Sequence, residues 1–200
     1  MDRTTASLTR RIEPGRRRGR PPSLDRERIV DEASQLADEV GIEGVTVRAV
    51  AARLGVPSMT LYSYIDSRAE LLDLVVGRLL DRALVPLDST VGLQWDEVVR
   101  VLLRHLHDVV AASPVVVDAF VRQPDHPQNL AVAAQLVAAL AEGGIPAEES
   151  ERVFAIATTF VVGATKIAVG LAERGSAEPF PFDGLLDELL IMIKARSEPE

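Results

Sequence analysis

Seven arginines (Arg3, Arg10, Arg11, Arg16, Arg17, Arg18 and Arg20) crowd residues 3–20 against one acid, Glu13, in a chain whose formal net charge is −8. A guanidinium stays charged at physiological pH and forks toward phosphate oxygens, so such a cluster can meet a polyanion. From residue 67 onward eleven basic side chains face twenty acidic ones, which confines that contact to the N-terminal tip. A merely solubilising tail would carry the same charge. Other chemistry-bearing residues are few. Cysteine is absent, which removes disulfides, thiolate metal sites and cysteine nucleophiles. His105 and His107 stand two apart, about 200° around a helix, and cannot share a metal. His126 lies in a proline-flanked loop. The sequence has no glycine-rich phosphate loop and no serine elbow, so no metal, cofactor or catalytic set is expected.

The elements that must carry these residues are marked by proline and glycine. Aromatic residues make up 4% of the chain, and Ala, Val and Leu supply the apolar bulk instead, a bias toward helices. Residues 1–22 are polar and end in Pro21-Pro22, an arm expected to lack structure in isolation. Ile29, Ala33, Leu36 and Val40 recur at helical spacing, with Ser23 or Asp25 as caps and Gly41 as a stop. A second helix opens at Thr46 and stops at Gly55, and a third spans about 57–64. Ser67-Arg68-Ala69-Glu70 has the form of a capping box ahead of a helix to about Leu84. Further helices are expected over about 95–112, 114–122, 128–142 and 146–174, with a last one capped by Asp183 and ending near Ala195. The longest charge-free apolar stretch, 153–165, is too short to span a membrane. No apolar segment follows the basic start to make a secretory signal, so a cytoplasmic protein without a membrane partner is expected.

Residues 46–64 have the spacing of a helix-turn-helix. Two short helices meet at Gly55, which can take a left-handed conformation, and small Ala51 sits where they would cross. Val47, Leu54, Val56 and Leu61 supply the apolar contacts, although an ordinary αα corner has the same pattern. The wider stretch carries more. Ile29-Val-Asp-Glu-Ala33, Val40-Gly-Ile-Glu-Gly-Val-Thr46, Val50-Ala-Ala-Arg-Leu-Gly-Val56, Leu61-Tyr62 and Arg68-Ala-Glu-Leu-Leu72 make residues 23–84 resemble the DNA-binding domain of the tetracycline-repressor (TetR) family.

That resemblance implies an all-α chain with double-stranded DNA as partner. A helix-turn-helix domain over 23–66 would be joined through a fourth, connecting helix to a ligand-binding and dimerisation domain over 67–200. The third helix would lie in the major groove with Ser58, Met59, Thr60, Ser63 and Tyr64 outward. Arg48 matches a base-reading position suited to guanine. Thr46, Tyr62 and Arg68 match phosphate contacts, and Tyr62 equally suits half-buried packing. Arg18-Gly19-Arg20-Pro21 resembles the core of an AT-hook, which with Arg16 and Arg17 would follow a minor groove.

The same resemblance implies a homodimeric transcriptional regulator and not an enzyme: a repressor released from a palindromic operator by a small hydrophobic or amphipathic effector. A constitutive regulator without an effector stays open. Candidate pocket residues are Trp95, Leu102, Leu106, Phe120, Phe154 and Thr158, with His105 and Asp118 as polar anchors, and each also suits plain core. Thr159, Gly163, Ile167 and Gly170 step along one helical face, and Leu186, Leu189, Leu190 and Ile193 form an apolar stripe. Both are expected at a two-fold dimer interface.

Overall fold

The computed structural model describes residues 24–176 and 180–197, which form helices, turns and loops with no strand among them. The arm arginines Arg16, Arg17, Arg18 and Arg20 lie outside the described residues.

Local chemistry sets the first four helices. α1 (Arg26–Val40) starts where the Asp25 side chain accepts the Arg28 N–H and ends at Gly41. α2 (Val47–Leu54) is capped by Thr46, whose Oγ1 accepts the Ala49 N–H at 3.1 Å. It stops at Gly55, left-handed with φ 69°. A Cβ there would meet no atom, so glycine is required by backbone conformation alone. α3 (Ser58–Leu61) is shorter than the spacing predicts, because Ser63 and Tyr64 bond back three residues in tight turns. α4 (Arg68–Asp81) is capped by Ser67, whose Oγ accepts the Glu70 N–H at 3.1 Å. Glu70 departs from the capping box: its carboxylate reaches past Ser67 to the Asp66 N–H and to Arg26 of α1. Those two partners hold it below its ordinary pKa, the Asp66 N–H contributing most.

Five more helices follow: α5 (Trp95–Ala112), α6 (Val115–Arg122), α7 (Pro127–Glu142), α8 (Ala147–Glu173) and α9 (Phe182–Lys194). Asp183 does not cap α9. Pro181 holds the cap position without a side-chain bond, and Asp183 pairs with Arg104 of α5 instead.

Burial divides into two clusters. The first joins α1, α2, α3 and α4 and takes in Val115, Val116 and Ala119 of α6. The second joins α5, α7, α8 and α9, and Phe120 packs against both. Leu186, Leu189, Leu190 and Ile193 are all within the second cluster, none more than 4% exposed. The stripe expected at a dimer interface is therefore spent inside its own subunit, and α9 turns Leu185, Ile191 and Met192 outward instead. On α8, Thr159, Gly163 and Ile167 are exposed and Gly170 is half-buried. The charge-free stretch 153–165 sits in a longer helix. Among the described residues α8 alone is long and apolar enough to cross a membrane by length and composition, and 28% of its most apolar window is buried within the subunit.

His107 of α5 is wedged between α8 and α9. Its ring stacks on Phe182 with centroids 3.7 Å apart, and its Nδ1 lies 2.7 Å from Thr165 Oγ1. The Thr165 hydroxyl already donates to the Val161 carbonyl, so the His107 Nδ1–H must donate to Thr165. Burial pushes the His107 pKa below its ordinary 6.5, with Arg104 adding to the shift and Asp108 opposing it.

Two predictions follow from this packing. The neutral His107 contributes stability that is complete above its ordinary pKa and is lost as pH falls through the lowered folded value. Thermal unfolding followed from about pH 7.5 to about pH 5 should therefore show a fall in midpoint that His107→Phe flattens; an unchanged pH dependence in the variant would remove this role. Separately, a fragment ending at residue 66 lacks Leu71, Val75, Leu79 and Leu80, each 0% exposed in the first cluster. That fragment should show no cooperative melt by circular dichroism, whereas a cooperative transition would mean that α1 to α3 close a core unaided.

Candidate nucleic-acid interface and ligand cavity

The pair α2 and α3, joined at Gly55, is held from behind. Leu61 and Val50 are 0% exposed, which turns the other faces of both helices outward. Arg53 near the end of α2 is fixed by Glu32 and Glu39 of α1, each at 2.6 Å. Arg68 at the start of α4 donates from Nε to the Val45 carbonyl at 3.2 Å and from Nη2 to the Glu43 carbonyl at 3.3 Å. It thus braces the segment ahead of α2, and a phosphate contact would have to use Nη1 or the second Nη2 hydrogen.

The outward face carries Thr46, Arg48, Met59, Tyr62 and Ser63, all exposed. Arg48 makes no ion pair among the described residues. Its position on the first turn of α2 leaves a free fork next to the α2 N-terminus. Met59 is 76% and Tyr62 47% exposed, a value that suits both expected placements of Tyr62. Tyr64 does not face out: its ring packs against the first cluster, and its carbonyl accepts from Arg26. Ser58 and Thr60 are half-buried. The α3 turn is too short to present all five expected side chains at once.

A cavity of about 480 Å³ opens between α5, α6, α7 and α8. Leu106, Val117, Phe120 and Val121 wall one side, and Phe154, Thr158, Val162 and Asn129 another. Thr159 and Gly163 of the outer α8 face stand at its edge. Four of the expected lining residues meet here: Leu106, Phe120, Phe154 and Thr158. The other four do not. Trp95 packs on Gly143 at the end of α7, so closely that a Cβ on that glycine would lie 2.5 Å from the indole. Leu102 meets Leu106, Phe154 and Thr158 in a small adjoining hollow and also borders a groove beside Leu87 and Leu93. His105 donates from Nε2 to the Arg82 carbonyl at 2.8 Å, which ties α5 to the end of α4. Asp118 is exposed on the far side of α6. Periodicity could not separate these, because each lies on an apolar or amphipathic helix whose rotation is fixed by its neighbours.

Asn129 is a residue that the sequence pattern did not mark. Its Nδ2 donates to the carbonyls of Phe120 at 3.2 Å and Gln123 at 3.3 Å. Its amide oxygen accepts nothing among the described residues. The cavity thus offers apolar walls, threonine hydroxyls and one amide acceptor, with no charged side chain lining it.

Residues 29–75 match the family model described as bacterial regulatory proteins, tetR family. The repressor DrrR1 of Streptomyces coeruleorubidus is 47% identical over 68 residues, covering 33% of this chain and 25% of DrrR1. An uncharacterised HTH-type transcriptional regulator of Mycobacterium tuberculosis is 30% identical over 139 residues, covering 66% of this chain and 64% of that protein. The chain therefore spans less than two thirds of the length of these curated relatives. Among solved structures, BioQ of Mycobacterium smegmatis superposes with a TM-score of 0.67 at 21% identity, covering 87% of this chain and 99% of BioQ. BioQ with its double-stranded DNA operator gives 0.64 at 23%, covering 86% and 99%. The helix-turn-helix, its caps, its bracing by α4 and these matches agree on one placement: residues 29–75 carry the pattern of bacterial regulatory proteins of the tetR family, and the chain shares the fold of these solved structures.

Proposed function

We propose that the protein is a homodimeric repressor of transcription that binds a palindromic operator and is released by a small apolar or amphipathic ligand. One observation carries the DNA-binding part: α2 and α3 are braced from behind while Arg48, Met59, Tyr62 and Ser63 point outward. The similarity of the same segment to DrrR1, named a repressor, supports it. In this reading Arg48 reads a base edge and α3 sits in the major groove. The α2 cap at Thr46 faces a phosphate. The arm arginines Arg16, Arg17, Arg18 and Arg20 follow the neighbouring minor groove.

The exposed face of α8 supports the dimer. Ile156 and Ile167 are 52% and 54% exposed on either side of Thr159 and Gly163, and small residues there let a second α8 approach closely. A partner copy on that face would border the cavity, since Thr159 and Gly163 belong to both. The cavity's size and uncharged lining suit a neutral, mostly apolar ligand with one hydrogen-bond donor for Asn129. To free most of the bound protein, such a ligand must prefer the released state by about 5 kcal/mol in total.

DNA from upstream of the protein's own gene is the first substrate to test, by fluorescence anisotropy. Arg48→Ala should cost about 1–3 kcal/mol at one base pair and relax specificity there; an equal loss on every sequence would make Arg48 a phosphate contact. Deleting residues 1–20 should weaken binding on all sequences and flatten the salt dependence by several units of slope. An unchanged slope would reduce the arm to a tail. Phe154→Ala should abolish ligand-induced release with operator affinity intact. Ligand binding that never changes operator affinity would favour a constitutive regulator. A stable monomer in sedimentation at micromolar concentration would overturn the dimer.

A further inference from the structure

A ligand in the cavity can act on α2 and α3 through α4 where a wall of the cavity also touches that helix; α6 also reaches the segment ahead of α2 directly, through the pair of Arg122 with Glu43. The corner between α6 and α7 is such a wall. On one side Phe120, Val121 and Asn129 line the cavity, and the two Asn129 bonds to Phe120 and Gln123 close the corner into a single unit. On the other side stands His126. Its Nδ1 accepts the Gln128 N–H at 3.3 Å and so caps α7, and its side chain is 8% exposed. The ring lies directly against α4 at Gly77, where a Cβ would come within 3.1 Å of His126 Cε1. Glycine at this position is what lets the ring reach the helix backbone. With Nδ1 accepting, the proton of the neutral ring sits on Nε2, which faces Asp73 Oδ1 one turn away at 3.9 Å. A groove of about 440 Å³ runs beside this contact, with α1 forming its other wall through Arg26 and Val30. The corner therefore has room to move against α4.

We propose that the His126–Gly77 contact is the joint through which the cavity shifts α2 and α3, a positioning role that rests on the ligand-responsive reading above. The lever is visible in the bonds at the ends of α4. Its C-terminal end is pinned: Arg82 is held by Asp38 and Ser113, and its carbonyl accepts from His105. Its N-terminal end carries Arg68, which grips the carbonyls just ahead of α2. At 1.5 Å per residue Gly77 lies about 8 Å from the pinned end and Arg68 about 21 Å, so a push at Gly77 is multiplied about threefold at Arg68. α6 also touches α4 through Val116 and Ala119, but these are core contacts at 0% exposure. They transmit rigidity. The histidine, with the groove at its side, transmits movement.

The test uses the full-length protein, its operator DNA and N-phenyl-1-naphthylamine, a neutral apolar fluorescent probe, as cavity ligand. Linkage requires that DNA lower probe affinity by the factor by which the probe lowers DNA affinity. In the wild type that factor should be at least about fivefold. His126→Asn keeps an acceptor for the α7 cap but withdraws the ring from Gly77, and Gly77→Ala wedges the same contact from the other side. Both variants should melt as the wild type does and bind the probe and the DNA separately within about twofold of it. Their coupling factor should fall to about one. If both keep the wild-type factor, the joint is wrong and coupling passes through α6, by its core contacts or by Arg122 and Glu43. If the wild type itself shows a factor of one, the ligand-responsive reading fails and the joint falls with it.

Discussion

The structure depends on the burial of α4 on more than one side. Leu71, Val75, Leu79 and Leu80 are 0% exposed and Val76 is 2%. Removing a side chain of this size from water contributes about 1.5–3 kcal/mol. They complete the first cluster, because α2 and α3 are short, with eight and four residues. A helix that completes the core of the helix-turn-helix head must move when that head moves. Since α4 also lies against α6 and the start of α7, the reading end and the cavity end share one rigid element.

Charge is arranged around the same helix. Arg26, Arg53, Arg78 and Arg82 all pair with acids across α1, α2 and α4. Exposed pairs of this kind are worth about 0–1 kcal/mol each, so their effect on stability is small. They matter more by fixing those guanidiniums inward. Arg48 is left as a cation on the outward face without such a partner, on a chain that is acidic overall. Attraction to a polyanion is thereby concentrated at one end of the molecule, and a misoriented encounter meets an acidic surface.

What could be read from the sequence was mostly what is decided locally. The caps at Asp25, Thr46 and Ser67 and the stop at Gly55 involve atoms within a few residues, and all four formed as their residue types require. The limits of α5 fall where expected for the same reason. Decisions made between helices were less legible. The stripe from Leu186 to Ile193 marks an apolar face, but not whether α5 and α8 of the same chain or another copy will cover it. Trp95, His105 and Asp118 lie on helices that pass near the cavity, and helix rotation sends each elsewhere. Asn129 and His126 carry no periodic signal. Their roles come from a turn whose geometry depends on Gln123, Phe120 and a glycine some fifty residues earlier.

Phe120 packs against both hydrophobic clusters while also lining the cavity, and its neighbours Val116 and Ala119 are core residues of the helix-turn-helix head. The cavity wall on α6 is therefore not free to drift. A substitution that reshapes the cavity from this helix also alters the packing under α4, so a new cavity shape made there costs thermal stability. Val162 and Thr158, on α8 and outside the first cluster, carry no such penalty. Divergence in the shape of the cavity is thus channelled toward α8, with α6 held nearly constant by its duty in the first cluster.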